Sequence, residues 1–479
     1  MKYQSTRGLE KGVSFKDVLF AGEWPIDSKD GGLYFPETVP KLSQEQLESW
    51  SKLSYPDLLS EILCLYIDPS ELSREQIIDL ATGSFSRFEL PEVMRVAELK
   101  NDLRVSELFH GPTLAFKDLG LGVVARLLET FLSASGERCL IVVATSGDTG
   151  SAAIQAVRGL DNIDIVVLLP HGRCTEIQEL QMTTCIDDNV HVFAADGNSD
   201  EIDVEVKSIF ADTEFVKRHR VISSNSINWA RVLSQMTHFF YGYFRACAKV
   251  GDVVEMVLPT GAAGNITAGC VAARMGLPVR LVAAVNTNDI VYRSLSSGDF
   301  SKADEVVVSL APAMDIQVPY NMERLMLLFS GHNTELVKAM MTEFEANGRV
   351  QIDAQVLKEM QKVIVDAQVV PDDAISSTLT RCWEENQYTL CPHTATAAHY
   401  HYCHVRPDGP RRLCVATAGP DKFPGALQGA GVPFQPCERI RQLHSMPTRS
   451  EPMERGQDWK AMLRQKIEAV SAVREAGGR

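Results

Sequence analysis

Lys117 stands in His110-Gly-Pro-Thr-Leu-Ala-Phe-Lys-Asp118, between apolar neighbours and an acid, ahead of a helical run. A lysine held there can lose its charge and attack a carbonyl. The plain alternative is a solvated lysine at a helix start. Two Gly-rich turns weigh against that alternative. Ala144-Thr-Ser-Gly-Asp-Thr-Gly-Ser-Ala-Ala153 follows the apolar run Cys139–Val143, and Pro259-Thr-Gly-Ala-Ala-Gly-Asn-Ile-Thr-Ala-Gly269 follows Val253–Leu258. Both read as strand, small-residue turn, helix. Such a turn aims backbone amides and the positive helix end at its guest, which points to a carboxylate or phosphate. Ordinary α/β connections also use glycine for close packing, so neither turn decides the matter alone.

Neither turn is a Walker A loop, because no Gly-Lys-Ser/Thr follows, and neither has the GxGxxG spacing, which disfavours a nucleotide. His393, His399, His401, Cys403 and His404 form the densest metal-like cluster, with His399 and Cys403 four apart on one helical face. The Ala- and Tyr-rich context favours packed or surface histidines, and no metal is expected.

The elements that must position these residues follow from periodicity. Residues 1–95 open with turns and then show helical patterns over Leu42–Trp50, Tyr55–Tyr66 and Arg74–Phe85, which predicts a mostly helical N-terminal domain. Over 96–437, short β-branched runs at 139–143, 163–169, 190–194, 253–258 and 279–285 alternate with helices. That alternation predicts an α/β core of parallel sheets in two lobes, with ligands beyond the carboxyl ends of the strands, where both Gly-rich turns lie. The stretch 406–412 reads as a loop before the strand Leu413–Ala416. The segment 438–479 is charge-rich with a helix near Trp459–Val470, and a docked tail and a partly disordered one both remain open.

The 479 residues carry 45% hydrophobic and 23% charged residues and a formal charge of −15. These values predict an ordinary globular protein of two or three domains with no nucleic-acid or membrane partner. An acidic protein that binds anions needs focused donors. The start MKYQSTRGLEKG has neither a signal-peptide core nor a transit-peptide pattern, and no apolar run has membrane-spanning length. Eleven cysteines without a CxxC pair point to reduced thiols and a cytoplasmic location, with a mitochondrial one left open. Oligomeric state is not legible.

Taken in order, these segments resemble the threonine synthase family of pyridoxal-phosphate enzymes, within the tryptophan synthase β-like group of fold type II. Further matching segments are Tyr3-Gln-Ser-Thr-Arg-Gly8, Asp30-Gly-Gly-Leu-Tyr-Phe-Pro-Glu37 and Asn225-Ser-Ile-Asn-Trp-Ala-Arg231. Ala313–Ile316, Asn321–Arg324, Cys391–Ala395 and Thr417–Phe423 complete the set, which spans roughly 1–430. Two departures resemble a phospho-lyase branch more than a biosynthetic synthase. Gly261-Ala-Ala-Gly-Asn265 replaces a GNFG-type cradle, and Thr417-Ala-Gly-Pro-Asp-Lys-Phe423 replaces a TAHPAKF-type segment, losing its histidine.

The resemblance implies pyridoxal 5'-phosphate as cofactor, with Lys117 as its Schiff-base lysine and as the base for the substrate's α-proton. It implies the cofactor phosphate on Gly261, Ala262, Ala263, Gly264 and Asn265, and Thr417 at the pyridine nitrogen. Asp148 is expected to turn to the cofactor, the lysine or backbone caps. Asp118 reads better as a helix-start acid than as a catalytic partner. Substrate contacts are expected from Thr145, Ser146, Gly147 and Thr149, and from Asn225, Ser226, Asn228 and Arg231. Arg231 is the candidate phosphate clamp, against the commoner use of arginine in a structural ion pair. The implied activity is elimination of phosphate from small β- and γ-phosphorylated amino acids to give 2-oxobutyrate. A true threonine synthase, a serine/threonine dehydratase and a catalytically silent binding protein are the alternatives.

Overall fold

A computed structural model describes residues 1–21, 28–145, 147–224, 226–406 and 408–476. Two sheets form its centre. The larger has the order Ile364–Val369, Val279–Val285, Val254–Pro259, Arg411–Ala416, Arg104–Glu107, Arg95–Glu98, and all pairs are parallel except the last. The smaller runs Glu451–Met453, Val190–Ala195, Ile163–Pro170, Cys139–Ala144, Val221–Ser223, parallel throughout. The central strands Val254–Pro259 and Ile163–Pro170 are buried almost end to end, as parallel strands covered on both faces must be. Each strand named from its β-branched run is present.

The N-terminal helices are Gln44–Trp50, Tyr55–Tyr66 and Arg74–Ser84. Ser43 and Ser73 close capping boxes with Gln46 and Gln76, and Ser54 caps the middle helix, so each start is written locally. The first two pack on the helix Trp229–Ala246, where Trp50 meets Phe240 at 5.5 Å and Tyr55 meets Tyr241 at 5.3 Å between ring centroids, and the third packs on the helix Lys117–Ser135. Phe35, on the strand Tyr34–Pro36, packs edge-on against the fully buried Trp229 at 5.1 Å. The N-terminal segment thus buttresses the helix that carries Arg231.

Residues 438–476 dock. The strand Glu451–Met453 extends the smaller sheet, and Trp459, Leu463 and Ile467 of the helix Trp459–Ala476 pack on Ile202, Val206 and Phe193. The strand Arg95–Glu98 crosses the boundary expected at 95 by pairing with Arg104–Glu107. Pro407, in the expected 406–412 loop, lies outside the described residues. No described helix is long and apolar enough to cross a membrane.

Candidate active site

Loops from the carboxyl ends of both sheets converge on a cavity of about 330 Å³. Lys117, the first residue of the helix Lys117–Ser135, lies in its wall with Thr145, Gly147, Asp148 and Thr149. Ser226 and Arg231 close one side, and Pro312, Ala313, His393 and Phe423 another.

The turn before Lys117 is held on three sides. The Asp118 carboxylate accepts from the Thr113 amide (2.8 Å) and hydroxyl (2.7 Å), so it braces the turn. Burial pushes its carboxyl up to about 6 against those hydrogen bonds. Leu114 takes a left-handed φ of 58°, and its carbonyl accepts from the Gly419 amide at 2.8 Å. The Phe116 amide donates to the Thr417 carbonyl at 2.8 Å. Burial lowers the Lys117 pKa, Asp148 opposes that, and Arg231 and Lys422 add to it. The net direction is down, toward the free amine that a nucleophile or base requires.

Asp148 opens the helix Asp148–Val157, which Gly147 caps without a side-chain bond. Burial would raise its carboxyl, but Lys422, Lys117 and Gln178 outweigh burial and hold it well below the usual carboxylate range. Its Oδ1 accepts from Gln178 Nε2 at 2.8 Å and faces Lys422 Nζ at 3.1 Å. The Thr145 hydroxyl accepts from the Gly147 amide at 3.1 Å, so it shapes its own turn while lining the cavity.

Arg231 is 5% exposed, and its Nε and Nη1 have no hydrogen-bond partner. Burial pushes it down to about 10, still charged at neutral pH. A buried guanidinium without an anion is costly, and here it borders a cavity. The structural ion pair weighed against the clamp is absent among the described residues. Asn228, expected at the substrate, is engaged elsewhere. Its Oδ1 accepts from the Ala230 amide at 2.9 Å as the cap of the helix Trp229–Ala246, and its Nδ2 donates to the Leu19 carbonyl at 3.0 Å. Ser146 and Asn225 lie outside the described residues.

The second Gly-rich turn sits behind the cavity wall. A Cβ on Gly261 would come 2.9 Å from the Ala313 carbonyl, and one on Gly264 would come 3.3 Å from Asn321 Nδ2 and 3.9 Å from the Ser226 carbonyl. Ala262 and Ala263 complete the turn, with Ala263 at a left-handed φ of 59° before the helix Gly264–Met275. Asn265 Oδ1 bonds His238 Nε2 at 2.7 Å, and its Nδ2 has no partner. Helix start, tight glycines and an orphaned amide donor all suit the phosphate of pyridoxal phosphate. The cradle is braced from the N-terminus. Arg7 Nε pairs with Glu323 at 3.0 Å, Arg324 donates to Asn321 Oδ1 at 2.8 Å, and Asn321 Nδ2 donates to the Ala262 carbonyl at 3.1 Å. These contacts give a structural reason for the motifs at 3–8 and 321–324.

Sequence reading missed Gln178, gave Lys422 no role beyond its place in the matching segment Thr417–Phe423, and gave His393 none beyond Cys391–Ala395 and a metal-like cluster. His399 Nε2 and Cys403 Sγ meet at 3.4 Å, as their spacing predicts, but the other rings turn elsewhere and no group of three or more ligands forms among the described residues. His393 Nε2 accepts from the Ala313 amide at 3.1 Å, His401 Nε2 bonds the Asn101 carbonyl at 2.9 Å, and His404 Nδ1 bonds the Tyr400 carbonyl at 3.0 Å. The His393 contact places the proton on Nδ1, which has no partner, and burial pushes this ring down to about 4.

Residues 2–85 match the family described as threonine synthase N terminus, and residues 92–419 match that described as pyridoxal-phosphate dependent enzyme. Threonine synthase-like 2 of Mus musculus is 48% identical over 476 residues, covering 98% of both chains. The crystal structure of threonine synthase from yeast superposes with a TM-score of 0.91 at 34% identity, covering 98% of each chain. Pyridoxal-phosphate-bound threonine synthase from Brucella melitensis gives 0.92 at 33% identity, covering 98% of this chain and 99% of that one. On sequence, fold and the residues around Lys117, the chain belongs to the threonine synthase family of fold type II, pyridoxal-phosphate-dependent enzymes.

Proposed function

We propose that this protein is a phospho-lyase that releases phosphate from small β- and γ-phosphorylated amino acids, O-phosphothreonine and O-phosphohomoserine. The observation that carries the reading is Arg231, a buried guanidinium with no counter-ion among the described residues, in the wall of the cavity that holds Lys117. When bound, pyridoxal phosphate makes the substrate's α-hydrogen acidic by withdrawing electron density from Cα. Gly261–Asn265 would hold the cofactor phosphate, and Thr417 would offer its hydroxyl to the ring.

Lys117 then takes the proton from Cα as a free amine. Arg231 grips the substrate phosphate through two oxygens and stabilises it as it leaves. Gly147 and Thr149, at a helix start, receive the substrate carboxylate, and Ser226 adds a hydroxyl to the opposite wall. With phosphothreonine the Cβ–O bond breaks, and the released enamine takes up water to give 2-oxobutyrate and ammonia. With phosphohomoserine a second proton must leave Cβ, whose electron pair expels phosphate from Cγ, and protonation at Cγ then gives the same enamine.

The family also supports a second reading, since curated threonine synthases such as that of Pseudomonas aeruginosa are 38% identical over 440 residues. The two readings differ in whether a positioned water adds at Cβ before release. Incubation with each substrate, followed by assay of phosphate, 2-oxobutyrate and threonine, separates them. Phosphate with 2-oxobutyrate and no threonine supports the lyase, and threonine from phosphohomoserine overturns it in favour of the synthase. Absence of phosphate from both would leave the dehydratase or the silent binder.

A further inference from the structure

Lys422 is wholly buried on the loop that follows the strand Arg411–Ala416. Its ammonium donates to the Thr113 carbonyl at 2.7 Å and to Gln181 Oε1 at 2.5 Å, and it faces Asp148 Oδ1 at 3.1 Å. Three acceptors match its three N–H groups, so the charge is fully engaged. Those acceptors come from separate places. Thr113 lies in the turn before Lys117, Gln181 on the helix Glu176–Thr183, and Asp148 at the end of the smaller sheet's Gly-rich turn. One ammonium therefore fastens the larger sheet's loops to those of the smaller.

Asp148 is faced by Lys422, Lys117 and His393, and Lys117 by Asp148, Arg231, Lys422 and His393. Lys422 also faces Asp118, whose oxygens are taken by Thr113, and Asp203 lines the cavity's outer wall. Asp148 is thus the carboxylate set against Lys117, in a cavity whose phosphate-directed cation is Arg231. Left alone, that carboxylate would repel an anionic substrate and draw a proton onto Lys117. We propose that Lys422 is a positioning residue of the site: as the fixed counter-ion of Asp148 it cancels that carboxylate toward an entering anion and leaves Lys117 free to exchange its proton. The inference rests on Lys117 being the cofactor's lysine and is independent of which substrate is cleaved.

The test uses the full-length protein with bound cofactor and four variants: Lys422→Met, Lys422→Arg, Asp148→Asn and Lys422→Met with Asp148→Asn. The readout is the pH midpoint of the cofactor's near-visible absorption, taken without substrate. Removing the cation should raise the midpoint by about one unit, and removing the carboxylate should lower it by a similar amount. The double variant should return close to wild type, and Lys422→Arg should stay within a few tenths of it. The double variant should also unfold at a higher temperature than Lys422→Met, in which a buried carboxylate loses its partner. If Lys422→Met does not fold, Asp148→Asn and the double variant carry the test through the downward shift and its reversal. Unchanged midpoints, or single shifts of the same sign, would reduce Lys422 to a packing role. Because no substrate is present, failure of the lyase reading would leave this readout intact.

Discussion

The amide of Phe116 donates to the carbonyl of Thr417 at 2.8 Å, so the peptide that carries Lys117 is clamped to the end of a core strand. The lysine's backbone is fixed, and what can move is its side chain. Lys117→Ala should cost about 10²–10⁴-fold in turnover, and Lys117→Arg should not restore it, because a guanidinium keeps its proton. Borohydride reduction followed by peptide mapping checks the linkage, which should disappear in both variants. Full activity in Lys117→Ala would end the mechanism.

Arg231→Met removes a charge that is buried with no ion-pair partner among the described residues. The cofactor-free variant should be at least as stable as wild type, by up to about 1–3 kcal/mol, whereas most core substitutions destabilise. Its KM for phosphorylated substrates should rise roughly a hundredfold, with little change for serine or threonine. With the cofactor bound and its cradle filled, inorganic phosphate should stabilise the wild type by about 2.7 kcal/mol at a hundredfold excess over its Kd, read as a higher melting temperature, and the variant should not respond. Equal losses on phosphorylated and plain substrates would make Arg231 structural.

Acid should destabilise the protein well above the carboxylate range. Burial pushes His238 and His393 down to about 4. Between about 6.5 and 4 the unfolded chain binds protons that these rings refuse in the folded state, so stability falls as pH falls through that window. By pH 5 each ring should cost about 2 kcal/mol relative to pH 7.5. Melting curves at the two pH values, repeated on a His238→Gln, His393→Gln double variant, check this. An unaltered pH slope would place the acid sensitivity elsewhere.

Gly150 is the third residue of the helix Asp148–Val157, where an added Cβ would strike Thr145 Cγ2 and come 2.6 Å from Met182 Sδ and 3.2 Å from Val167 Cγ1. Gly150→Ala should therefore push the helix start away from its sheet, displacing Asp148 and Thr149, at a cost of about 1–3 kcal/mol. Activity should fall more than cofactor content does. A variant with wild-type kcat and melting temperature would show that the turn tolerates the shift.

Much of this was legible in the chain because periodicity and punctuation are local. The β-branched runs gave parallel strands, the Gly-rich turns fell at their carboxyl ends, and helical periodicity gave the three N-terminal helices. What escaped depends on long-range burial. Lys422, after Gly-Pro-Asp, reads as a solvated loop lysine, and only folding brings Thr113, 309 residues away, to its ammonium. His393 looked like one of several clustered histidines until its ring met the Ala313 amide. Asn228 was the reverse case. An Asn directly before a helical run is a cap signal, and the cap takes the side chain that the resemblance had directed to the substrate.

The helix Ser199–Phe210 presents Ile202 and Val206 both to the cavity and to the docked tail, whose Arg455 reaches Glu201 across 254 residues of chain. On a ribosome adding about 5–20 residues per second, this wall waits roughly tens of seconds for its outer support. The cavity's lining is thus translated long before it can be closed, and a nascent chain that holds Lys117, both Gly-rich turns and Arg231 still lacks one finished side of its pocket.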